Sequence, residues 1–487
     1  MVLLSLCSGY TSAAEDNKIG LMAMKNNVQR LFKPSSNQEF RKVQLNELSN
    51  FEFDPTQIPD LPVISSQAQS TVAVPVASSK LDLYQAVRWA VGRHPDVSSS
   101  ISSLASQNAN IDVARAGYFP QMSGGISTGD MTSSQRGRQL LELSATQMLY
   151  DFGKTKSSVN TQQSKLKVSQ AEVLVAIDDI ALNVATAIIN IKRYEELARI
   201  AREQIAGIAK IAEIANLRAN AGISSQADPV QAQTYLESAQ SNLIVQETQL
   251  SMYKQRLRNL IGGDISRINA DIPPSLVAKS NIYSDPQFNQ IPQMMLAKAE
   301  VDVAASQKKQ SSLSRYPTLN VKGSLSQAIN GQNPNNNKDD GSDGSIMFEA
   351  SSNFYQGGAV ASQTRAASFA EEAAKAKVNS VYLDTINTIR LAQEQVENKQ
   401  RQMQVLAAQQ ATTVRTRELY QEQYKLGTRT AVDLLNAEQS IHSADSQMET
   451  ARYDIYDNLV QYIAAAGKSR DVYELNNLQI QGVEIQP

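Results

Sequence analysis

Two long stretches of the chain repeat hydrophobic residues at a helical period and contain almost nothing that breaks a helix. Residues 154–221 hold no proline and one glycine, Gly207; residues 359–426 hold neither. In the first, Leu174, Ile177, Ala181, Val184, Ile188, Ile191, Tyr194, Ala198, Ala201, Ile205, Ile208, Ala212, Ala215 and Ala219 form one stripe. It covers 45 residues in 13 steps, the heptad period. A second stripe contains Leu182, Ile189, Leu197, Ile200, Ile211 and Ile214. At ~1.5 Å per residue each stretch predicts a helix roughly 100 Å long. Apolar contact on two sides points to a helix flanked by neighbours on both sides, as in a closed cylinder. A dimeric coiled coil, the alternative, needs one seam. The second stretch is richer in Gln and its stripe is weaker.

The period then changes to two. Leu319, Val321, Gly323 and Leu325 alternate with Asn320, Lys322, Ser324 and Ser326, and Ile346, Phe348 and Ala350 alternate with Met347, Glu349 and Ser351. These predict two strands within a hairpin at about 317–355, joined by the Asn/Gly/Asp loop 330–344. A second hairpin is expected at about 119–150, where the alternation is less clean. Strands of about ten residues suit a tilted crossing of a bilayer. Four strands do not close a barrel, so a membrane reading requires oligomerisation: two chains supply eight strands and three supply twelve.

Fixed landmarks reveal a duplication. Tyr150 matches Tyr355 at an offset of 205 (355 − 150), and Gly222 with Asp228 matches Gly427 with Asp433 at the same offset. Ile261-Gly262 and Ala466-Gly467 keep it as well, whereas Pro120 and Pro317 differ by 197, placing an eight-residue insertion in the 330–344 loop. The expected organisation is a first repeat at 81–263, an inter-repeat linker at 264–286, a second repeat at 287–467 and a tail at 468–487. Ahead of these, Pro55, Pro59, Pro62 and Pro75 mark 15–80 as an irregular extension. Residues 1–14 read as a signal peptide ending Ser12-Ala13-Ala14, although no basic residue precedes the apolar run. The rival is a lipoprotein signal with Cys7 lipidated, disfavoured by the large Leu6 before it.

Composition narrows the function. The 487 residues are 41% hydrophobic and 19% charged, and 46 basic against 48 acidic residues leave −2, giving no argument for nucleic acid. No run of 18 or more apolar residues predicts a membrane helix. One cysteine and two separated histidines, His94 and His442, supply neither a disulfide framework nor a metal or cofactor site. His94, before Pro95, reads as a helix-end residue. Asp339, Asp340 and Asp343 lack the spacing of a calcium loop and read as a solvated loop. No catalytic constellation appears, so an enzyme is not expected.

The order of helix, hairpin, long helix, Gly-x-x-x-x-x-Asp turn and returning helix, repeated twice, resembles the TolC family of outer-membrane channels. Three motifs carry the likeness. Tyr118-Phe119-Pro120 and Arg315-Tyr316-Pro317 lead into the hairpins, and Tyr150-Asp151-Phe152-Gly153-Lys154 and Tyr355-Gln356-Gly357-Gly358 leave them. The third is Tyr424-Lys425-Leu426-Gly427-Thr428-Arg429-Thr430-Ala431-Val432-Asp433-Leu434-Leu435. The resemblance implies a mainly α fold with a small β part. It further implies a homotrimer: a 12-stranded barrel in outer-membrane lipid, continuous with a periplasmic barrel of long coiled-coil helices. It also implies a periplasmic adaptor and an inner-membrane ABC transporter as partners, and no cofactor.

By the same resemblance, Asp228 meets Tyr424 and Arg429 to hold the periplasmic entrance closed, and Asp433 begins a ring of aspartates in the pore. The second ring position is Asn436, which halves the expected charge. Gly222, Ile223, Ser224, Gly427, Thr428 and Thr430 correspond to the surface that receives the adaptor. Residues 147–154 and 225–233 look like those of members exporting large adhesins. Type I secretion is therefore the first expectation, drug efflux the second, and a periplasmic coiled-coil scaffold the alternative of another class.

Overall fold

A computed structural model describes residues 80–131, 135–263, 269–331, 333, 335–336, 338–352, 355–476, 479–480 and 483–484. The expected signal peptide with Cys7, and the 15–80 extension up to residue 79, lie outside them. Strand β1 (Lys80–Asp82) leads into α1 (Leu83–Arg93) and α2 (Pro95–Arg115). His94 joins the two helices, its Nδ1 accepting a hydrogen bond from the Asp96 amide at 3.2 Å as the N-cap of α2. Strands β2 (Gln121–Met131) and β3 (Gln135–Tyr150) precede α3 (Lys154–Asn220) and α4 (Ala227–Ile261). Then come β4 (Asn269–Asp271), α5 (Ser275–Ser280), α6 (Pro292–Leu313), β5 (Thr318–Asn330) and β6 (Ser342–Ser351). The chain continues with α7 (Ala359–Lys425), α8 (Ala431–Ala465), α9 (Ser469–Val472), β7 (Gln479–Ile480) and β8 (Val483–Glu484).

The two halves match in backbone detail. Helices α3 and α7 each contain 67 residues, and α4 and α8 each contain 35. The long helices stop one residue before their expected ends because Ala221 and Leu426 are C-caps. Each starts after paired positive φ values, 57° and 88° at Phe152 and Gly153, 58° and 82° at Gly357 and Gly358. In the first repeat Asp151 supports this start: its carboxylate accepts from the Gly153 and Thr155 amides at 2.9 and 2.6 Å.

Strands β2, β3, β5 and β6 form one antiparallel sheet in that order, with β2 and β6 at its edges. The register gives it two different faces. Ser123, Ser144, Ser324 and Ser345 lie in one row across all four strands, with hydroxyl pairs 2.8 Å apart. The opposite face carries Met122, Ile126, Leu141, Leu143, Leu325, Ile346 and Phe348, all exposed, Phe348 by 82%. At the helical end of the sheet, Phe152 stacks on Tyr316 at 5.4 Å and meets Tyr150 edge-on at 4.8 Å.

The larger apolar core lies midway along α3, where Val173, Ile177, Ile180, Ala181, Val184, Ile188 and Ile191 meet α1 and the ends of α4 and α8. An 18-residue stretch of α3 reaches a mean hydropathy of 1.7, apolar enough by composition to cross a membrane, but 61% of it is buried here. Every residue of the first heptad stripe is buried or half-buried; in the second, Ile214 is exposed. The expected linker and tail join this core. Strand β4 pairs in parallel with β1, and Tyr473 and Leu475 are buried beside α1. Lys468 donates to Ser280 O, Asn281 O and Ser284 Oγ at 3.1, 3.1 and 2.6 Å, fastening the tail to the linker. Gly207 costs α3 about 1 kcal/mol of helix stability relative to alanine.

Candidate functional site

The two α-hairpins turn through the same backbone device. Gly222 and Gly427 adopt φ of 73° and 78°, a region that favours glycine. At the first tip the Gly222 amide donates to Ala219 O at 3.0 Å and the Ile223 amide to Arg218 O at 2.9 Å. At the second, Gly427 donates to Tyr424 O at 3.1 Å and Thr428 to Gln423 O at 3.0 Å. These paired bonds satisfy carbonyls that the helix ends leave open. Ile223 is 65% exposed, and Gly222, Gly427, Thr428 and Thr430 are exposed as well. Ser224 is half-buried, with no hydrogen-bond partner for its hydroxyl.

Beneath the turns a small core gathers Ile208, Ile211, Ala232, Ala239, Tyr424, Ala431, Leu434 and Leu435 from both hairpins. Tyr424 is buried in it, and Arg218 covers its ring at 4.9 Å from the centroid. Burial pushes the Tyr424 phenol up, opposed by the Arg218 charge and reinforced by the nearby Asp228 carboxylate. The Tyr424 hydroxyl is buried without a hydrogen-bond partner.

Asp228 and Tyr424 are thus brought together. Among the described residues no ion pair joins Asp228 to Arg429 within one protomer. Arg429 instead folds back on its own hairpin, donating from Nε to Gln423 Oε1 at 3.0 Å and covering the Tyr420 ring at 4.5 Å. Its Nη1 lies 3.8 Å from Asp433 Oδ2. Asp433 closes a capping box with Thr430, the N-cap of α8, and the Thr430 hydrogen bonds and Arg429 hold its carboxyl below the usual range. Asn436 accepts from the Tyr235 hydroxyl at 2.7 Å, linking α8 to α4. Arg218, Tyr235, Tyr420 and Gln423 escaped the sequence reading. Arg218 had a local signal, a cation in the last turn of a helix before its glycine stop.

The tips are therefore two like turns with exposed backbone, joined by a small core and by weak polar contacts on their surface.

Comparison with known proteins gives one family. The model described as outer membrane efflux protein matches residues 68–263 and 289–468. The outer membrane protein TolC of Vibrio cholerae is 22% identical over 392 residues, 78% of this chain and 86% of that protein. The probable efflux pump outer membrane protein TtgC of Pseudomonas putida is 26% identical over 178 residues, 35% of this chain and 37% of that protein. Among solved structures, the outer membrane protein VceC of Vibrio cholerae superposes with a TM-score of 0.68 and 16% identity, covering 79% of this chain and 96% of that one.

Proposed function

The chain belongs to the outer membrane efflux protein family and is an outer-membrane channel of the TolC type, and on that premise we propose that it is the outer-membrane duct of a type I secretion system for a large protein such as an adhesin. Channels of this family are homotrimers that work with adaptor proteins and inner-membrane transporters, and the family is one of channels, not enzymes. The two-faced sheet is the observation that supports a duct most directly. Among the described residues its β2 and β6 edges have no partner strand, its apolar face suits lipid, and its serine face suits a water-filled lumen. Three copies supply twelve strands, and the long helices extend the duct into the periplasm. A periplasmic scaffold has no use for such a sheet.

Energy comes from an inner-membrane ABC transporter, delivered through an adaptor that docks on Gly222, Ile223, Ser224, Gly427, Thr428 and Thr430. The tip contacts among Asp228, Tyr424 and Arg429 keep the entrance closed until that docking occurs. Arg429 meets Asp228 of a neighbouring protomer, because its reach within its own is taken up by Tyr420 and Gln423. Asp433 lines the mouth with three carboxylates per trimer, and Asn436 contributes no charge. Secretion is placed ahead of drug efflux because residues 147–154 and 225–233 look like those of members that export large adhesins.

Deletion of the gene, followed by comparison of the secreted proteome with drug susceptibility, tests this reading. Loss of one large surface protein with unchanged drug tolerance supports secretion. An intact secreted proteome with sharply raised drug sensitivity overturns it in favour of an efflux pump.

A further inference from the structure

The one glycine of α3 faces the second repeat. Glu438 of α8 lays its side chain across it: a Cβ built on Gly207 would overlap the Glu438 carboxylate oxygen Oε1 and lie 2.8 Å from its carboxyl carbon. Glu438 is 5% exposed, and its carboxylate is fully engaged. His442 Nε2, one turn along α8, is 3.2 Å from Oε1, and Arg417 Nη1 on α7 is 3.4 Å from Oε2. Three helices therefore converge on one carboxylate. Helix α3 supplies the notch, α7 a cation, and α8 the carboxylate and an imidazole.

The seat has one register. One turn away on the same side of α3 stand Glu203 and Gln204, and one turn the other way Lys210 and Ile211. Each carries a side chain where Gly207 carries none, so α8 does not slide to a neighbouring position. Arg417 and His442 belong to the same α7–α8 hairpin and travel with Glu438, so what seats the carboxylate against α3 is its close fit over Gly207. The notch lies 15 residues before Gly222, about 22 Å along the helix from the turn, at the inner end of the small tip core that begins at Ile208.

We propose that Glu438 is a positioning residue that latches the α7–α8 hairpin onto α3, and that the periplasmic entrance opens only when this carboxylate leaves the Gly207 notch. The latch rests on the reading of the tips as a closed entrance. It holds the shafts of the hairpins in register while the tip contacts hold their ends.

Single-channel conductance of the full chain, extracted from outer membranes and inserted in planar bilayers, tests it. Gly207→Ala, which fills the notch, and Glu438→Ala, which empties it, are each expected to raise open-state occupancy about fivefold to tenfold. The double variant is expected to gain no more than either single one, because both break the same contact. Glu438→Gln, which keeps the shape, stays within about twofold of wild type. Wild-type conductance in Glu438→Ala, or singles whose effects multiply in the double variant, would overturn the latch. If Gly207→Ala fails to reach the membrane, the two Glu438 variants decide. Asp228→Ala and Arg429→Ser run alongside: increased conductance in these with none in the notch variants sinks the latch alone, and the reverse pattern sinks the tip gate alone.

Discussion

Replacing Arg429 by serine removes three contacts of the second tip at once. The ion pair to Asp433 spans 3.8 Å between side chains 40% and 36% exposed, and solvent screening leaves such a pair at about 0–1 kcal/mol. Coverage of the Tyr420 ring at 4.5 Å adds about 0.5–1 kcal/mol, and the hydrogen bond to Gln423 a similar amount. Allowing for overlap and for side-chain ordering, each protomer loses about 1–2 kcal/mol of order within its own tip, since all three contacts lie inside the α7–α8 hairpin. The part that differs between closed and open tips is the exposed pair of Arg429 with Asp228 of a neighbouring protomer; at about 0.5 kcal/mol each, three such pairs make about 1.5 kcal/mol, roughly a tenfold shift in the ratio of open to closed channels. Planar-bilayer conductance of Arg429→Ser should therefore rise clearly above wild type. The difference should shrink as salt is raised from 0.1 to 1 M (approximately a threefold shorter screening length). Tyr424→Phe is the control. Among the described residues the Tyr424 hydroxyl has no hydrogen-bond partner, so the residue acts in closure through its buried ring beneath Arg218, and loss of the hydroxyl leaves conductance unchanged. The opposite pattern, a silent Arg429→Ser with an open Tyr424→Phe, would refute the reasoning and make the Asp228–Tyr424 contact between assembled subunits the true closure.

Three further outcomes are expected. Burial pushes the Asp178 carboxyl up to about 7, against the pull of the Arg470 charge. The folded chain then keeps a proton that the unfolded chain loses near its ordinary value of 3.8. This contribution is present below about pH 4 and is lost as pH rises through about 7. Asp178→Asn should flatten the decline in thermal stability between pH 4 and 8, and an unchanged slope would contradict it. Ile346→Lys, on the apolar face of the sheet, should cost about 2–4 kcal/mol of membrane insertion, while Ser324→Lys on the serine face leaves yield in outer-membrane fractions near wild type; equal loss in both would reverse the two faces. Thr430→Ala removes the cap of α8 and should cost about 1 kcal/mol, seen as faster amide exchange at Leu434 and Leu435; unchanged exchange there would deny the cap its role.

Periodicity made the long helices and their buried stripe legible, because a heptad seam is written in the residues that form it. The repeat was legible for a related reason: glycines at positive φ, such as Gly222 and Gly427, fix where each helix must stop. The Gly207–Glu438 contact was not. A single glycine inside a helix reads as a tolerated weakness, and a glutamate reads as solvated. Only the pairing of the two repeats places one over the other. The linker and tail were obscure because β1 and β4, three residues each and far apart in sequence, are too short to carry a period. At the tips, Asp228, Tyr424 and Arg429 stood out in the sequence, but not that Arg429 turns toward Tyr420, since side-chain direction depends on which ring lies nearest.

The difference between the two copies carries the remaining argument. Helix α3 buries 24 residues along its length, whereas α7, equally long, buries six. The reason is position. Helix α3 lies against α1, α2, α4, α6 and α8, while the main neighbours of α7 are α6 and α8, with Tyr382 and Gln393 also touching Phe288 and Ile282 of the segment before α6. The remaining face of α7 still carries Phe369, Leu383, Leu391, Val405 and Leu419 in the open. A helix nearly 100 Å long with large apolar side chains spaced along an uncovered flank calls for a neighbour of matching length. Among the described residues none is placed along that flank. The β2 and β6 edges pose the same demand at the sheet. A next protomer that pairs with a sheet edge and sets its first repeat against α7 meets both demands with one rotation. The weaker stripe of α7 therefore belongs to the interface between subunits, and substitutions such as Leu391→Asp should disrupt assembly while leaving the α3 core intact.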